Sequence, residues 1–399
     1  MSKSLDKSVG LFSFLALPML ALILAIKNYR MPWSKNVVWA FMAFYAYHFS
    51  PPNEGADIKH YIEKFINYSF IDFSIQDFII SQYSEGSTTL DILEPLTSYL
   101  LSRITDNYHF LLLIYGVIYG YFFSRNIYYF IDSTKENLSS KSLAVLTLLI
   151  IVIGIWNING FRFWCAAQIF IYACFNLIIY KKIKGYLFLI LACLMHLGLL
   201  IPSLILLLFK LFKLPVHIVF GVFLVTFFLA ELDMEVVRTS INNFAPDFVK
   251  NKLNAYTSEA YVEVVSEKLE SYSVFYQLSK FIRIGLVVFF SSFLLINKKL
   301  FQKDKFYQLF VFFLTFGSFA NILSQMPSGG RYLVITDFIL FGITFYFIQN
   351  YKNARLSKYI NYTIPIILVY GFYNFRVIGI HTFNIHHFIN NPIISLFIY

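Results

Sequence analysis

The chain has 399 residues, of which 58% are hydrophobic, 20% aromatic and only 14% charged. A soluble globular domain carries roughly 25% charged residues, so this composition excludes a water-soluble fold and indicates an integral membrane protein. The formal net charge of +10 does not indicate nucleic-acid binding. The basic residues lie in short connectors between apolar runs, where the positive-inside rule places them on the cytoplasmic side.

Repeated apolar runs of about 17–25 residues predict membrane-spanning helices, and their polarity does not alternate as barrel strands would require. We therefore expect an all-α, polytopic membrane protein with a single membrane domain over residues 1–399 and about twelve transmembrane helices. The first run, Leu11 to Ile26, is interpreted as a retained span rather than a cleaved signal peptide, since no small-x-small site follows it.

Two larger external segments are expected, at about residues 50–107 and 232–273, each with an amphipathic helix. In the first, apolar residues recur at helical spacing from Leu90 to Ile104, but Asp91 and Glu94 make this stretch too polar for a span. It is predicted to be an interfacial helix on the external face. The second segment carries a similar apolar stripe.

Two apolar runs, Leu143 to Trp156 and Phe163 to Tyr180, flank a short polar stretch that contains Arg162. They predict one span outward and one span back. The next run, Gly185 to Leu208, is longer than one span requires and is interrupted by His196 and Pro202, which favours a short helical hairpin with His196 near its external end.

Two arginines depart from the charge pattern, since Arg162 and Arg331 lie in very short connectors on the predicted external side. Glycines (Gly160 and Gly330) come just before them and an apolar helix follows each. Glycine backbone N–H groups and a helix N-terminus both favour a bound anion. One such arginine more often snorkels to lipid headgroups, but two on one side favour a diphosphate site.

His196 interrupts an apolar run, where a lone histidine usually makes a helix–helix hydrogen bond. His196 is also predicted to lie on the same side of the membrane as both arginines, where a neutral imidazole could remove a proton from a sugar hydroxyl. Asp57 is the second candidate for this role. Asp57 and Tyr61 lie one helical turn apart, and Glu94 with Pro95 starts the interfacial helix. Capping and loop folding explain Asp57, Tyr61 and Glu94 equally well.

No metal-binding motif and no phosphate-binding Walker loop is present in the sequence. The adjacent histidines His386 and His387 are interpreted as a bare pair in an external C-terminal tail. Cys165, Cys174 and Cys193 lie inside apolar runs and are expected to pack in the core.

Four short motifs occur together along most of the chain: Ala56-Asp57-x3-Tyr61, Glu94-Pro95, Asn159-Gly-Phe-Arg162-Phe-Trp-x-Ala166, and His196 followed by Pro202. Through them the chain resembles the EpsG-like branch of the Wzy-type polysaccharide polymerases. A second external arginine loop, as at Arg331, also recurs in such polymerases. The family commonly has glutamine after the first arginine, where this chain has Phe163.

The resemblance implies a glycosyltransferase on the external face of the bacterial cytoplasmic membrane that needs no cofactor or metal. It would transfer a growing glycan from undecaprenyl diphosphate to one lipid-linked repeat unit, with membrane lipids, a flippase and a chain-length regulator as further partners and no nucleic acid. Arg162 and Arg331 would stabilise the departing diphosphate, and His196 or Asp57 would take the proton. The candidate substrate contacts are Tyr61, Glu94, Gly160, Gln168, Gly330 and Tyr332, with the two tyrosines stacking on sugar rings.

Two other classes of membrane protein remain open at the level of sequence. A lipid-linked glycan flippase or transporter often has repeated halves with broken helices near the membrane centre, and no convincing internal repeat is found here. An O-antigen ligase or membrane acyltransferase would use similar histidine and arginine residues, so the sequence does not separate it from a polymerase.

Overall fold

A computed structural model describes residues 2–51, 57–72, 74–83, 91–212, 214–228, 274–326, 328–352 and 354–398. Within these ranges every regular element is helical, which confirms the all-α fold class. The apolar stripe predicted in segment 232–273 lies outside the described residues.

The α-helices of the described ranges are α1 (Ser2–Ala16), α2 (Pro18–Lys27), α3 (Ser34–Tyr47), α4 (Asp57–Phe70), α5 (Ile75–Tyr83), α6 (Leu93–Ser102), α7 (Tyr108–Asp132), α8 (Ser140–Val152), α9 (Phe161–Cys174), α10 (Lys184–Met195), α11 (Leu200–Leu211), α12 (Val216–Val225), α13 (Val274–Ile296), α14 (Lys298–Phe301), α15 (Lys305–Leu323), α16 (Gly330–Asn350), α17 (Ile360–Asn374), α18 (His386–Ile389) and α19 (Pro392–Ile398). Short 3-10 helices at Ile155–Gly160 and Leu197–Leu199 and short π-helices at Phe175–Ile179 and Phe375–Gly379 connect some of them.

By length and composition, six described segments are able to cross a membrane: Tyr108–Asp132, Ser140–Ile179, Val274–Ile296, Lys305–Leu323, Gly330–Asn350 and Ser357–Thr382. Four shorter apolar helices accompany them: Pro18–Lys27, Lys184–Met195, Leu197–Leu211 and Val216–Val225. A membrane-embedded helical chain is therefore supported, whereas the expected twelve crossings stay a prediction.

The predicted cytoplasmic connectors meet at one end of the helix bundle, which we call the lysine end. Arg30 donates to the carbonyl oxygen of Thr134, and Lys141 donates to that of Ser357. Gln349, near the end of α16, donates to the carbonyl of Asn137. Because Arg331 lies at the opposite end of the same 21-residue helix, it is about 30 Å from this cluster.

The two helices predicted on either side of Arg162 are present as α8 and α9, which run in opposite directions, while their crossing of the membrane as two spans stays a prediction. Helix α8 starts at the lysine end, where the Ser139 N–H donates to Gln349. The chain then breaks at Gly154, and α9 runs back along α7, with Phe161 stacked on Tyr115 at 4.0 Å. Arg162 therefore lies at the end of the bundle away from the lysines, which we call the arginine end.

The predicted hairpin at His196 is also confirmed. Helices α10 and α11 return on each other, because Cys193 bonds to Ser203 beside the turn and Lys210 bonds to Tyr186 at the far ends. His196 has an extended backbone (φ −153°, ψ 112°), which ends α10. The histidine thus lies at the arginine end.

The first apolar run is not one continuous helix, as predicted, but two. Leu17 is extended (φ −154°, ψ 102°) and Pro18 begins α2. A residue before proline is disfavoured in the helical region because the proline ring crowds its backbone. The break between α1 and α2 follows from this local constraint.

The helix predicted around Glu94 is present as α6, and part of its apolar stripe faces outward. The face of α6 that is buried against the protein carries polar groups, including Glu94 and Ser98, while Leu100 and Ile104 are exposed. The location of this helix at the membrane interface stays a prediction. Here the polar face lies in the protein interior at the arginine end, so Glu94 is available to a site rather than to solvent.

The C-terminal histidines are not a bare tail pair. His387 is fully buried and stacks on Tyr45 of α3 at 4.4 Å, and its Nδ1 accepts the Asn384 N–H. His386 stacks on His48 at 6.0 Å. The C-terminal segment is therefore packed against α3 rather than extended into solvent.

Candidate functional site

Arg162 is the second residue of α9, directly after the 3-10 turn that ends at Gly160. Its Nη1 donates to Asp91 Oδ2 at 2.8 Å, and its guanidinium carbon lies 4.5 Å from the centre of the Tyr61 ring. Its side chain is 22% exposed. The arginine is thus held between a carboxylate and an aromatic face.

Asp91 was missed as a site residue in the sequence, where it only marked a stretch as too polar to span. It is 1% exposed, and both of its oxygens are engaged. Oδ2 binds Arg162, and Oδ1 accepts the backbone N–H of Leu197 at 2.8 Å. One carboxylate therefore fixes the Arg162 side chain to the turn that contains His196.

Arg331 occupies the equivalent position in α16, as the second residue of the helix. Its Nη2 lies 3.3 Å from Asp57 Oδ2, with side-chain exposures of 37% and 52% for the arginine and the aspartate. Exposed ion pairs of this kind contribute little to stability. Asp57 can therefore be exchanged for another anion at small cost.

The ring of Phe163 lies at the centre of these groups. The Arg331 guanidinium carbon lies 5.5 Å from its centre, and the rings of His196 and Tyr332 meet it edge-on at 5.3 and 5.9 Å. Tyr332 also donates to the carbonyl of Gly198 at 2.7 Å. Phe163 follows Arg162 in the chain, so this buried ring connects the Arg162 turn to the Arg331 side chain.

Helix α4 connects the two arginines, since Asp57 pairs with Arg331 and Tyr61, one turn later, packs under Arg162. Burial raises the pKa of Tyr61 to about 12; the Arg162 guanidinium opposes this shift, and Asp57 and Glu94 add to it. The predicted shared face of Asp57 and Tyr61 is confirmed. The predicted stacking of Tyr61 on a sugar is wrong, because Arg162 and Phe161 cover its ring.

His196 does not have the geometry of a general base. Its Nδ1 accepts the N–H of Gly198 at 2.9 Å, and a backbone N–H can only donate. The neutral ring therefore carries its proton on Nε2. Protonating Nδ1 would break this bond, so His196 is suited to donate a hydrogen bond from Nε2 rather than to remove a proton.

Glu94 is placed inside the arginine end, at the start of α6, and is 1% exposed. Its Oε1 accepts the Ser98 hydroxyl at 2.9 Å. Its Oε2 has no hydrogen-bond partner within the described ranges, and the same holds for Arg162 Nε. A buried carboxylate oxygen left without a partner is unusual in a folded protein.

Gln168 lies away from the site, and the two glycines have different surroundings. Gln168 is fully buried in the core and its side-chain oxygen accepts from Asn126; six residues of helix place it about 9 Å from the level of Arg162. A Cβ on Gly160 would touch the Trp164 ring at 3.3 Å, whereas a Cβ on Gly330 would meet nothing within 4 Å. Of these three, only Gly330 borders open space.

The electrostatics of both arginine turns favour an anion. A cation in the first turn of a helix adds its positive charge to the positive end of the helix dipole. Here two such turns, at Arg162 and Arg331, lie close together at Phe163. Asp91 and Asp57 balance these charges in the protein. A diphosphate would provide more negative charge at the same place, with geometry that a guanidinium fork fits.

Comparison of the chain with known proteins gives no match to a family model, to a curated protein or to a solved structure. The resemblance to polysaccharide polymerases therefore stays a prediction. What the structure adds is placement: the stretches that contain Arg162, His196 and Arg331 meet at Phe163, whose ring contacts His196, Arg331 and Tyr332.

Proposed function

We propose that the protein is a membrane glycosyltransferase that joins oligosaccharide repeat units linked to undecaprenyl diphosphate on the outer face of a bacterial cytoplasmic membrane. The chain would cross that membrane about twelve times, with the arginine end outside and the lysine end in the cytoplasm. A flippase that delivers repeat units and a chain-length regulator are the partners that this activity requires.

The observation that carries the proposal is that two arginine turns far apart in the chain lie close together: Arg331 packs over the ring of Phe163, the residue after Arg162, and α4 contacts both arginines through Asp57 and Tyr61. Both are permanent cations, and both have carboxylate partners that an incoming anion can replace or supplement. Departure of a diphosphate places developing negative charge on its oxygens, and fixed donors at that position lower the barrier. No metal is needed for this contribution.

The reaction that fits these groups is displacement at the anomeric carbon of the donor sugar. A hydroxyl of the acceptor unit forms the new bond to this carbon while the bond to the diphosphate oxygen breaks and its electron pair leaves with undecaprenyl diphosphate. Arg162 and Arg331 bind the departing diphosphate, and His196 donates a hydrogen bond from Nε2. Tyr332 holds the His196 turn in place through Gly198.

The proposal is tested by deleting the gene in its host and restoring it with variants. Arg162→Ala and Arg331→Ala should leave protein in the membrane but yield single repeat units instead of long chains, since loss of one such donor typically costs on the order of 10²–10³ in rate. Arg376→Ala is the matched control, because Arg376 is an exposed arginine at the same end, next to Phe375, which packs on Trp156.

The glycan distribution also separates the alternatives. Normal chain lengths in both arginine variants would contradict the proposal. Full-length chains that stay on undecaprenyl diphosphate would indicate a ligase. Repeat units that accumulate on the cytoplasmic leaflet, inaccessible to an external glycosidase, would indicate a flippase.

A further inference from the structure

Three carboxylates lie near the arginine turns, and they differ in what their oxygens already bind. Asp91 uses both oxygens, for Arg162 and for the Leu197 N–H. Asp57 lies at the exposed edge and pairs with Arg331. Glu94 is buried, and its Oε2 has no hydrogen-bond partner in the part of the chain that the structure describes.

Glu94 lies in the electrostatic neighbourhood of Arg162. Glu94 acts electrostatically on Arg162 itself, and the two charges shift the pKa values of Tyr61 and Lys64 on α4 in opposite directions. Burial lowers the pKa of Lys64, and the nearby Glu94 and Asp91 oppose this shift. Glu94 is 1% exposed and follows Asp91, the partner of Arg162, by three residues, so its carboxylate lies in the interior near that guanidinium.

The titratable groups that interact electrostatically with Glu94 come from three other helices. Tyr61 and Lys64 belong to α4, Tyr115 to α7 and Arg162 to α9. Ser98, on α6 itself, orients the carboxylate by bonding Oε1. This arrangement leaves Oε2 as the oxygen that accepts a further hydrogen bond.

We infer that Glu94 is the general base that takes the proton from the acceptor hydroxyl, an inference that rests on the proposed function. The proton passes from the hydroxyl to Glu94 Oε2 as the oxygen bonds to the anomeric carbon and undecaprenyl diphosphate departs with the electron pair. The neutral acid then releases the proton to water before the next turnover. The assignment leaves His196 as a donor, as its bond to Gly198 requires.

The test uses the purified full-length chain and the lipid-linked repeat units that accumulate in cells lacking the gene. Glu94→Gln keeps the size of the side chain and an oxygen for Ser98. It should slow elongation about 10²–10⁴-fold, the usual contribution of a general base, while binding of undecaprenyl diphosphate stays within about threefold of wild type. Glu63→Gln, an exposed glutamate on α4, is the matched control and should elongate normally.

Two readouts distinguish proton transfer from a structural role. The wild-type rate should rise with pH as one acid ionises, and Asp57→Asn should keep this rise, whereas the residual rate of Glu94→Gln should lack it. Formate should restore part of the activity of Glu94→Gly, because it supplies a carboxylate in the space left by the side chain.

Elongation by Glu94→Gln within threefold of wild type would overturn the inference, as would a Glu94→Gly variant that formate does not restore. If Glu94→Gln no longer binds undecaprenyl diphosphate, the pH dependence of the wild type and of Asp57→Asn decides. A wild-type rate that does not change with pH, or a rise with pH that disappears in Asp57→Asn, would overturn the inference. A wild-type protein that does not elongate the glycan at all would contradict the proposed function itself. An active wild type with an equally active Glu94→Gln would contradict only the role of Glu94.

Discussion

The Arg162 turn and the Arg331 turn have the same local design and different surroundings. Each arginine is the second residue of a helix, each lies near a glycine, and each has one aspartate partner. The partner of Arg162 is Asp91, which is 1% exposed, whereas the partner of Arg331 is Asp57, which is 52% exposed.

This difference separates a fixed anion-binding group from an exchangeable one. Asp91 also holds the Leu197 N–H, so the Arg162 turn is part of the framework that positions His196. Asp57 makes no other hydrogen bond within the described residues, so the Arg331 side chain can move from Asp57 to a substrate. We expect the buried turn to determine stability and the exposed turn to determine substrate exchange.

The largest expected effect is that of Asp91→Asn. The substitution removes the charge from a buried pair and leaves the Arg162 cation unbalanced, which typically costs about 3–5 kcal/mol. The free energy of unfolding, measured by denaturant titration of the purified protein in detergent, should fall by that amount. A loss below about 1 kcal/mol would show that the Asp91–Arg162 pair is not buried as described.

The second prediction concerns the pH dependence of stability, which His387 causes in the C-terminal segment near the Arg162 turn. Rings at His387, Phe383, Phe375 and Trp156 pack in series up to the turn before Arg162. Burial lowers the pKa of His387 to about 4, with His386 adding to the shift. The unfolded chain, in which a histidine has a pKa near 6.5, therefore binds more protons between these values.

Stability from His387 is thus complete above about pH 6.5 and is lost as pH falls toward 4, by up to about 3 kcal/mol. The melting temperature measured across this range should drop on acidification, and His387→Asn should reduce the drop. His381→Asn, at an exposed histidine, is the control. An equal drop in wild type and His387→Asn would contradict the packing of the C-terminal segment.

A smaller effect is expected from adding one methyl group at the His196 turn, which Asp91 connects to Arg162, or at the Arg331 turn. A Cβ on Gly198 would lie 2.9 Å from the His196 ring and 3.1 Å from the Tyr332 hydroxyl, whereas one on Gly330 meets nothing within 4 Å. Gly198→Ala should therefore cost about 1–3 kcal/mol of stability, as overpacking usually does. Gly330→Ala should unfold like wild type, and the difference between the two denaturant midpoints measures the contrast directly.

The smallest effect is that of Asp57→Asn, because an exposed ion pair contributes about 0–1 kcal/mol. Unfolding should change little, while binding of undecaprenyl diphosphate should tighten, since Arg331 then has no competing carboxylate. Weaker binding, measured by titration of the detergent-solubilised protein, would assign Asp57 to the substrate rather than to Arg331.

The sequence predicted the parts of this site that depend on local pattern. The charge distribution placed Arg162 and Arg331 on one side, and the interruption of an apolar run located the turn at His196. A local rule also explains the helix break at Leu17, which the sequence analysis overlooked, because the residue before a proline is disfavoured in the helical region.

The sequence could not predict the parts that depend on distant contacts. Asp91 lies 71 residues from Arg162, and no local signal distinguishes it from the other acids of the external segment. The inward orientation of Glu94 depends on which face of α6 packs on α4 and α7. The tautomer of His196 depends on the backbone of Gly198, which only the folded turn brings to Nδ1.

The most direct test of a shared diphosphate site is a double-mutant cycle on Arg162→Gln and Arg331→Gln, with undecaprenyl diphosphate and undecaprenyl monophosphate as the two ligands. If both arginines hold the same diphosphate, their effects on its dissociation constant should be coupled by about 0.5–3 kcal/mol, and the coupling should be smaller for the monophosphate. Additive effects with no preference between the two lipids would show that the arginines do not bind one diphosphate together.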